Sequence, residues 1–253
     1  MKILMTATSC PPAIGGGQTY TKLLARGLNR EHDVSILGQW SGYRTDWLLG
    51  TTVFAPGNSA QYECGGVPIR TFGLRISDKL AMLPFALPFH LTKGFSIPAI
   101  TRIMGRRLGP LAGSPDLIHN MRIGRESLSY ASLKIARGRG VPFVFTPFHH
   151  PRWEGWTYRH FIRLYRQADA IITMTPYEKE KMVELGVMPE RIHVTGVGPD
   201  VTNEANPEKF RAQHKIDGHM VLFVGQHFRY KGFETLMRSA LAVWKRHPET
   251  SFV

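Results

Sequence analysis

The sequence predicts an α/β protein built on a doubly wound parallel sheet. Three observations point there. Short apolar runs over 3–8, 33–37, 67–72, 116–119 and 141–146 alternate with helix-length segments. Strands separated by helices of that length require right-handed crossovers, which lay helices on both faces of a parallel sheet. The alternation then breaks at a Gly-, Pro- and Asn-rich stretch over 196–207 and begins a second time.

The elements follow in order. Met1-Lys2-Ile3-Leu4-Met5 starts basic and then apolar, as a secretion signal does. A signal core needs about 7–15 apolar residues, and Thr6 and Thr8 interrupt this one. The segment therefore reads as a first buried strand, and the expected location is the cytoplasm. A Pro-Pro-Ala-Ile-Gly-Gly-Gly loop leads into a helix over 18–28, with Leu23, Leu24 and Leu28 on one face. A strand over 33–37 comes next. Residues 38–66 are turn-rich and show no assignable period. A strand over 67–72 follows.

From Asp116 the pattern is clearer. Strands over 116–119, 141–146, 170–174 and 192–194 alternate with helices over 126–137, 153–167 and 176–185. Pro176 suits a first helical turn, where its missing N–H costs nothing. After the break come a strand over 220–224, a helix over 233–244 and a strand starting at Thr250. This divides the chain into a first domain over 1–197, a hinge over 198–216 and the beginning of a second domain over 217–253. A lone strand-helix-strand of that size buries too little surface to stand as a doubly wound domain. The sequence is thus expected to be a truncated piece of a longer protein.

Composition narrows the function. With 43% hydrophobic residues among 253, the chain can bury a substantial core, which excludes wholesale disorder. Lys and Arg number 32 against 19 Asp and Glu, a net +13 that favours anionic partners. Cys10 and Cys64 are the only cysteines, so there is no disulfide framework and a reducing compartment is expected. No run is long enough to span a bilayer.

Four segments carry chemistry. Gly15-Gly16-Gly17 lies between a strand and a helix, where free N–H groups and the positive dipole end suit an anion. It is neither the dinucleotide fingerprint nor a P-loop, and an ordinary flexible turn is the alternative. Phe145-Thr146-Pro147-Phe148-His149-His150-Pro151 lies just past a strand's C-terminal end, where open α/β sheets bind ligands. Packing histidines are its alternative, and no cysteine or carboxylate stands near at metal-ligand spacing. Val224-Gly225-Gln226-His227-Phe228-Arg229-Tyr230-Lys231-Gly232 is a second glycine loop before a helix, with cations that can neutralise a diphosphate. A solvated basic loop is the alternative, and no Asp-x-Asp exists to hold a metal there. The stretch from Leu80 to Arg107, with three prolines, many apolar side chains and no acid, reads either as core or as an anionic membrane surface contact.

Taken in order, these segments resemble the retaining glycosyltransferases of family 4, which have the GT-B fold. The resemblance begins with Met1-Lys2-Ile3-Leu4 and the Gly15-Gly16 loop before Leu24-Ala25-Arg26-Gly27-Leu28. It continues through Asp116-Leu117-Ile118-His119, Val141-Pro142-Phe143-Val144-Phe145-Thr146 with its following histidine, and Gln167-Ala168-Asp169-Ala170-Ile171-Ile172. It ends with Val197-Gly198-Pro199-Asp200, Leu222-Phe223-Val224-Gly225 and Lys231-Gly232-Phe233.

The resemblance implies an acceptor-binding Rossmann-like domain followed by a nucleotide-sugar-binding one. It implies that Gly15, Gly16 and Gly17 border the donor phosphates or the acceptor. His149 matches the histidine that contacts the transferred sugar, with His150 its rival. Lys231 matches a phosphate-binding lysine. Gln226 follows Gly225 where the family usually has arginine, and Arg229 stands as the substitute charge. The implied reaction moves a sugar from a nucleotide diphosphate to an acceptor hydroxyl, glycan or lipid-linked, with no cofactor and no metal. An anionic membrane on the cytoplasmic side is an expected partner and nucleic acid is not. The family's Glu-x7-Glu element would lie past Val253, so these 253 residues alone are expected to be inactive. The competing reading is a non-catalytic acceptor- or anion-binding α/β module.

Overall fold

The computed structural model describes residues 1–42, 47–150, 153–198 and 204–253. Pro151, Pro199 and Asp200, which the sequence motifs include, lie outside them. The chain divides into two compact units, Met1–Gly198 and Pro199–Val253.

The first unit opens with β1 (Lys2–Cys10), α1 (Gly16–Leu28), β2 (Asp33–Ser41) and a one-turn α2 (Leu48–Thr51). Strands β3 (Ala60–Cys64) and β4 (Val67–Thr71) follow, then helices α3 (Ile76–Ala86) and α4 (Lys93–Leu111). The rest is β5 (Leu117–Met121), α5 (Glu126–Arg139), β6 (Phe143–Thr146), α6 (Arg159–Gln167), β7 (Ala170–Thr173), α7 (Pro176–Glu184) and β8 (Ile192–Val194). These strands form one sheet in the order β3-β4-β2-β1-β5-β6-β7-β8, parallel throughout except where β3 runs against β4.

Burial on both faces explains why the central strands read as near-continuous apolar runs. Along β1, Ile3, Met5 and Ala7 join one buried cluster with Ala25 of α1, while Leu4 joins the other with residues of α4 to α7. Alternate side chains of one strand therefore serve two cores. Thr6, the residue that breaks the signal-like run, is also buried; its hydroxyl accepts from Asn120 Nδ2 at 2.8 Å and Ser132 Oγ at 2.9 Å. Gly38 has no substitute here. A Cβ at that position would overlap Cys10 Sγ and the Ala7 carbonyl across the β1–β2 pair.

Several sequence expectations change in detail. The unassigned 38–66 stretch holds the end of β2, a helical turn and the antiparallel edge strand β3. The helix expected over 153–167 begins only at Arg159, after a 3-10 turn over Trp156–Tyr158, which leaves Trp153 in a loop. The 80–107 stretch spans parts of two helices, and Met82, Phe89, Ile97, Ile100 and Met104 among its apolar side chains are buried in the core. Two of the five cations from Lys79 to Arg107 are paired within the protein. Arg107 meets Asp78 at 2.7 Å, and Lys93 meets Glu126 at 2.8 Å. The second pair is almost wholly buried; Lys93 also donates to the Thr157 carbonyl at 2.7 Å and lies over the Phe89 and Tyr158 rings.

The second unit contains α8 (Pro207–His214), inside the stretch read as a hinge, then β9 (Met220–Val221), α9 (Phe233–Trp244) and β10 (Ser251–Phe252). Strands β9 and β10 pair in parallel around α9, as the second alternation predicts. Trp244 ties the helix to the strand, its ring 5.5 Å from Phe252 and its Nε1 donating to the Thr250 carbonyl.

Two predictions follow from these buried groups. Burial pushes the His119 imidazole down to about 4; its Nε2 lies 2.7 Å from Thr146 Oγ1. Unfolded, the ring titrates near ~6.5, so between the two values the unfolded chain binds more protons. This contribution to stability is complete above pH ~6.5 and declines by about 3 kcal/mol as pH falls to ~4. Denaturant melts across that window should show the decline, and His119→Gln should flatten it. For the buried pair, Lys93→Met leaves Glu126 uncompensated and should cost about 3–5 kcal/mol, most of it recovered in the Lys93→Met, Glu126→Leu double variant.

Candidate functional site

The strand order reverses between β1 and β5. From β1 the chain moves outward to β2 and β4; from β5 it moves the other way through β6, β7 and β8. The connections leaving the C-terminal ends of β1 and β5 therefore part, and a crevice opens between them, where ligands of such sheets bind. The first unit has a cavity of about 630 Å³ at this point. Gly16 and Gly17 line it from the start of α1, Arg122 and Arg125 from the loop after β5, and Phe148 from the loop after β6.

Each loop is placed by a local reason. Gly15 caps α1 in an extended conformation, so the first helical N–H groups, at Gly16 and Gly17, have no preceding turn to bond. The β5 loop must cross close over β1. Gly124 makes this possible with φ 96°, and a Cβ there would strike the Thr8 side chain. The crossing carries Arg122 into the cavity wall.

Arg122 was not singled out by the sequence, and it is the site's most unusual group. It is only 8% exposed. Its guanidinium is held between the Trp153 and Phe161 rings, 3.8 Å and 3.9 Å from their centroids. Its Nε has no hydrogen-bond partner among the described residues, nor does that of the half-buried Arg125. Burial pushes the Arg122 pKa below its ordinary value, with Tyr165 and Glu126 acting against that. Gln18 Nε2, also on the cavity wall and nearly inaccessible, is likewise unpartnered. The signal available in the sequence was Arg122-Ile123-Gly124-Arg125 directly after a strand, the same strand-then-glycine pattern read at Gly15.

The histidines separate. His149 does not line this cavity but a smaller adjoining depression with Thr175, Tyr177, Glu178 and Lys181. Its backbone N–H donates to Glu178 Oε1 at 2.7 Å, its ring Nδ1 lies 3.4 Å from Tyr165 Oη, and its Nε2 lies 3.8 Å from Glu154 Oε1. Burial, then the nearby Arg122 charge, hold its pKa below the usual value, so the ring is neutral at pH 7. His150 is exposed and rests against Trp153, with ring centroids 5.3 Å apart. Between the two spaces stands Phe148, in the left-handed region at φ 44° and edge-on to Tyr20.

In the second unit, Gly225, Gln226, Arg229 and Lys231 are all exposed in the loop before α9. Arg229 and Lys231 bound one 3-10 turn, and Gly232 follows at φ 80° as the cap of α9. Lys231 Nζ lies 5.3 Å from the Tyr230 ring centroid. Elsewhere on this unit the exposed His219, His247 and Glu249 bring one ligand atom each within 4.8 Å of one another, a grouping the sequence spacing does not announce.

Comparison with known proteins agrees with this geometry. Residues 15–198 match the family described as glycosyl transferase 4-like domain. No curated protein sequence matches the chain. Among solved structures, HepE from Anabaena, in complex with UDP and glucose, is similar over all of this chain and 60% of its own, at 17% identity and TM-score 0.64. Sucrose-phosphate synthase from Thermosynechococcus elongatus is similar over all of this chain and 70% of its own, at 14% identity and TM-score 0.63. The lipopolysaccharide outer core galactosyltransferase WaaB aligns at 12% identity and TM-score 0.51, over all of this chain and 73% of its own. The chain thus spans about 60% of the length of HepE. These likenesses show the expected fold, a Rossmann-like first domain of the GT-B type. The chain belongs to the glycosyl transferase 4-like family.

Proposed function

We propose that this member of the glycosyl transferase 4-like family serves a retaining transfer of sugar from a nucleotide diphosphate to an acceptor hydroxyl. The observation that carries the reading is the cavity at the strand-order reversal of the first unit, bounded by Gly16 and Gly17. The first unit holds the acceptor. The second unit brings Arg229 and Lys231, exposed before a helix N-terminus, to the donor's diphosphate. HepE, solved with UDP and glucose, is a structural neighbour whose ligands are of the proposed donor class.

The chemistry follows from charge. As the C1–O bond to the diphosphate loosens, negative charge collects on the departing phosphate and positive charge on the sugar ring. Two cations at the phosphate stabilise that separation without a metal; the acceptor oxygen bonds to C1 from the same face as the C1–O bond to the diphosphate breaks, and its proton passes to the departing phosphate oxygen. A preorganised donor of this kind contributes about 3–4 kcal/mol to the transition state. In the complete protein, Lys231→Ala should lower turnover by roughly 10²–10³. A loss under about threefold would remove Lys231 from the reaction. Turnover should survive chelation of divalent ions, and the product should keep the donor's anomeric configuration by NMR. Absence of transfer from any nucleotide sugar, with anion binding intact, would favour the non-catalytic module instead.

A membrane-proximal acceptor is the second part of the reading. The turn between α3 and α4 exposes Leu87 at 72% and Leu91 at 85%, and Phe95 in the first turn of α4 is 81% exposed. No acidic residue stands between Asp78 and Asp116. Exposed apolar side chains on a stretch of net positive charge suit the cytoplasmic face of an anionic bilayer. Sedimentation with acidic vesicles should exceed that with neutral ones, fall with salt, and drop in Leu91→Asp. Equal binding to both vesicle types would overturn this part.

A further inference from the structure

The geometry points to a negatively charged acceptor: we infer that the cavity of the first unit takes a sugar-sized molecule whose carboxylate or phosphate sits against Arg122 and Arg125. The inference rests on the glycosyl-transfer reading only in naming that molecule the acceptor.

The argument starts from an imbalance. Arg122, Arg125 and Lys93 are cations at or behind the cavity wall, and Glu126 is the carboxylate placed among them. Glu126 is already engaged by Lys93 at 2.8 Å. Neither arginine has an ion-pair partner among the described residues, and the Nε of each is unsatisfied. Glu126 acts on the Arg122 charge through space but does not bond it, and a buried guanidinium with no bonded counter-charge is costly, since its desolvation is incompletely repaid. Folded proteins keep such a group buried when something else supplies the charge.

The surroundings suit an anion and not merely any solute. Trp153 and Phe161 both lie against the Arg122 guanidinium, and rings engage its π face, not its N–H donors. A planar guanidinium fork with no ion-pair partner favours carboxylate or phosphate oxygens. Gln18 Nε2 adds an unpartnered donor on the same wall, and the first N–H groups of α1 add partial positive charge. Trp47 and Tyr158 offer flat apolar surface for a sugar ring. The volume, about 630 Å³, exceeds what a lone ion needs. The proposed donor diphosphate is met by Arg229 and Lys231 of the second unit, which leaves the anion of the first unit to the other substrate.

The test titrates the complete protein with glucose, glucuronate, glucose 6-phosphate and UDP, read by Trp fluorescence and checked by calorimetry. At least one of the two anionic sugars should bind tenfold or more tightly than glucose, about 1.4 kcal/mol. Arg122→Gln and Arg125→Gln should each erase most of that preference while UDP affinity stays within about twofold. If Arg122→Gln fails to fold, the half-buried Arg125→Gln carries the test alone. Equal affinity for neutral and anionic sugars, or anion preference unchanged in the variants, overturns the inference. So does a loss of UDP binding as large as the loss of anionic sugar, since the guanidiniums would then serve the donor. Wild-type binding of anionic sugars without UDP binding supports the anion site and removes the glycosyl-transfer reading instead.

Discussion

The site depends on one constraint of chain geometry. A parallel sheet wound in a single direction keeps its crossovers on one face and its loops closely spaced. Here the winding reverses beside β1, so α1 packs on one face while α4 to α7 pack on the other. The two cores that result share β1, whose side chains alternate between them. The same reversal prevents the loops after β1 and β5 from closing over each other. Stability and ligand access thus come from one topological event, and the most buried strand ends at the most open point of the unit.

Charge is arranged against this apolar background in two ways. Lys93 pairs with Oε1 of Glu126 between α4 and α5, tying the start of α5 to α4. Arg122, four residues earlier, is given aromatic faces but no carboxylate. One pair completes the scaffold, and the other cation is left for whatever enters. The second unit repeats the cationic theme in a different form, with exposed Arg229 and Lys231 on a short turn. There the charges stand exposed on one turn just before the first turn of α9.

Much of the fold was legible because the central strands are buried on both sides. Runs such as Ile3 to Met5 and Phe143 to Phe145 could be little else, and the helices between them set the crossovers. What was not legible is instructive. Residues 38–66 fold against an edge, where side chains alternate less strictly and turn residues dominate. Trp153 looked helical because its neighbours share the period, yet it leaves the helix to cover Arg122. The glycine loop at Gly15 was visible as punctuation. Arg122 was not, because its importance lies in missing partners, and a missing partner has no sequence pattern. Likewise the apolar content of the Leu80 to Arg107 stretch was plain, but only packing separates the core side chains Ile97 and Ile100 from the outward Leu91 and Phe95.

Phe148 adds a mechanical consequence. Held at φ 44°, a posture that costs a non-glycine residue about 1–3 kcal/mol, it forms the partition between the large chamber and the recess containing His149. Its ring leans on Tyr20, whose hydroxyl lies 3.4 Å from that of Thr195 near the end of the first unit. Phe148 shares this boundary with Met174, so one strained backbone position and one flexible thioether side chain together shape the facing walls of the two spaces.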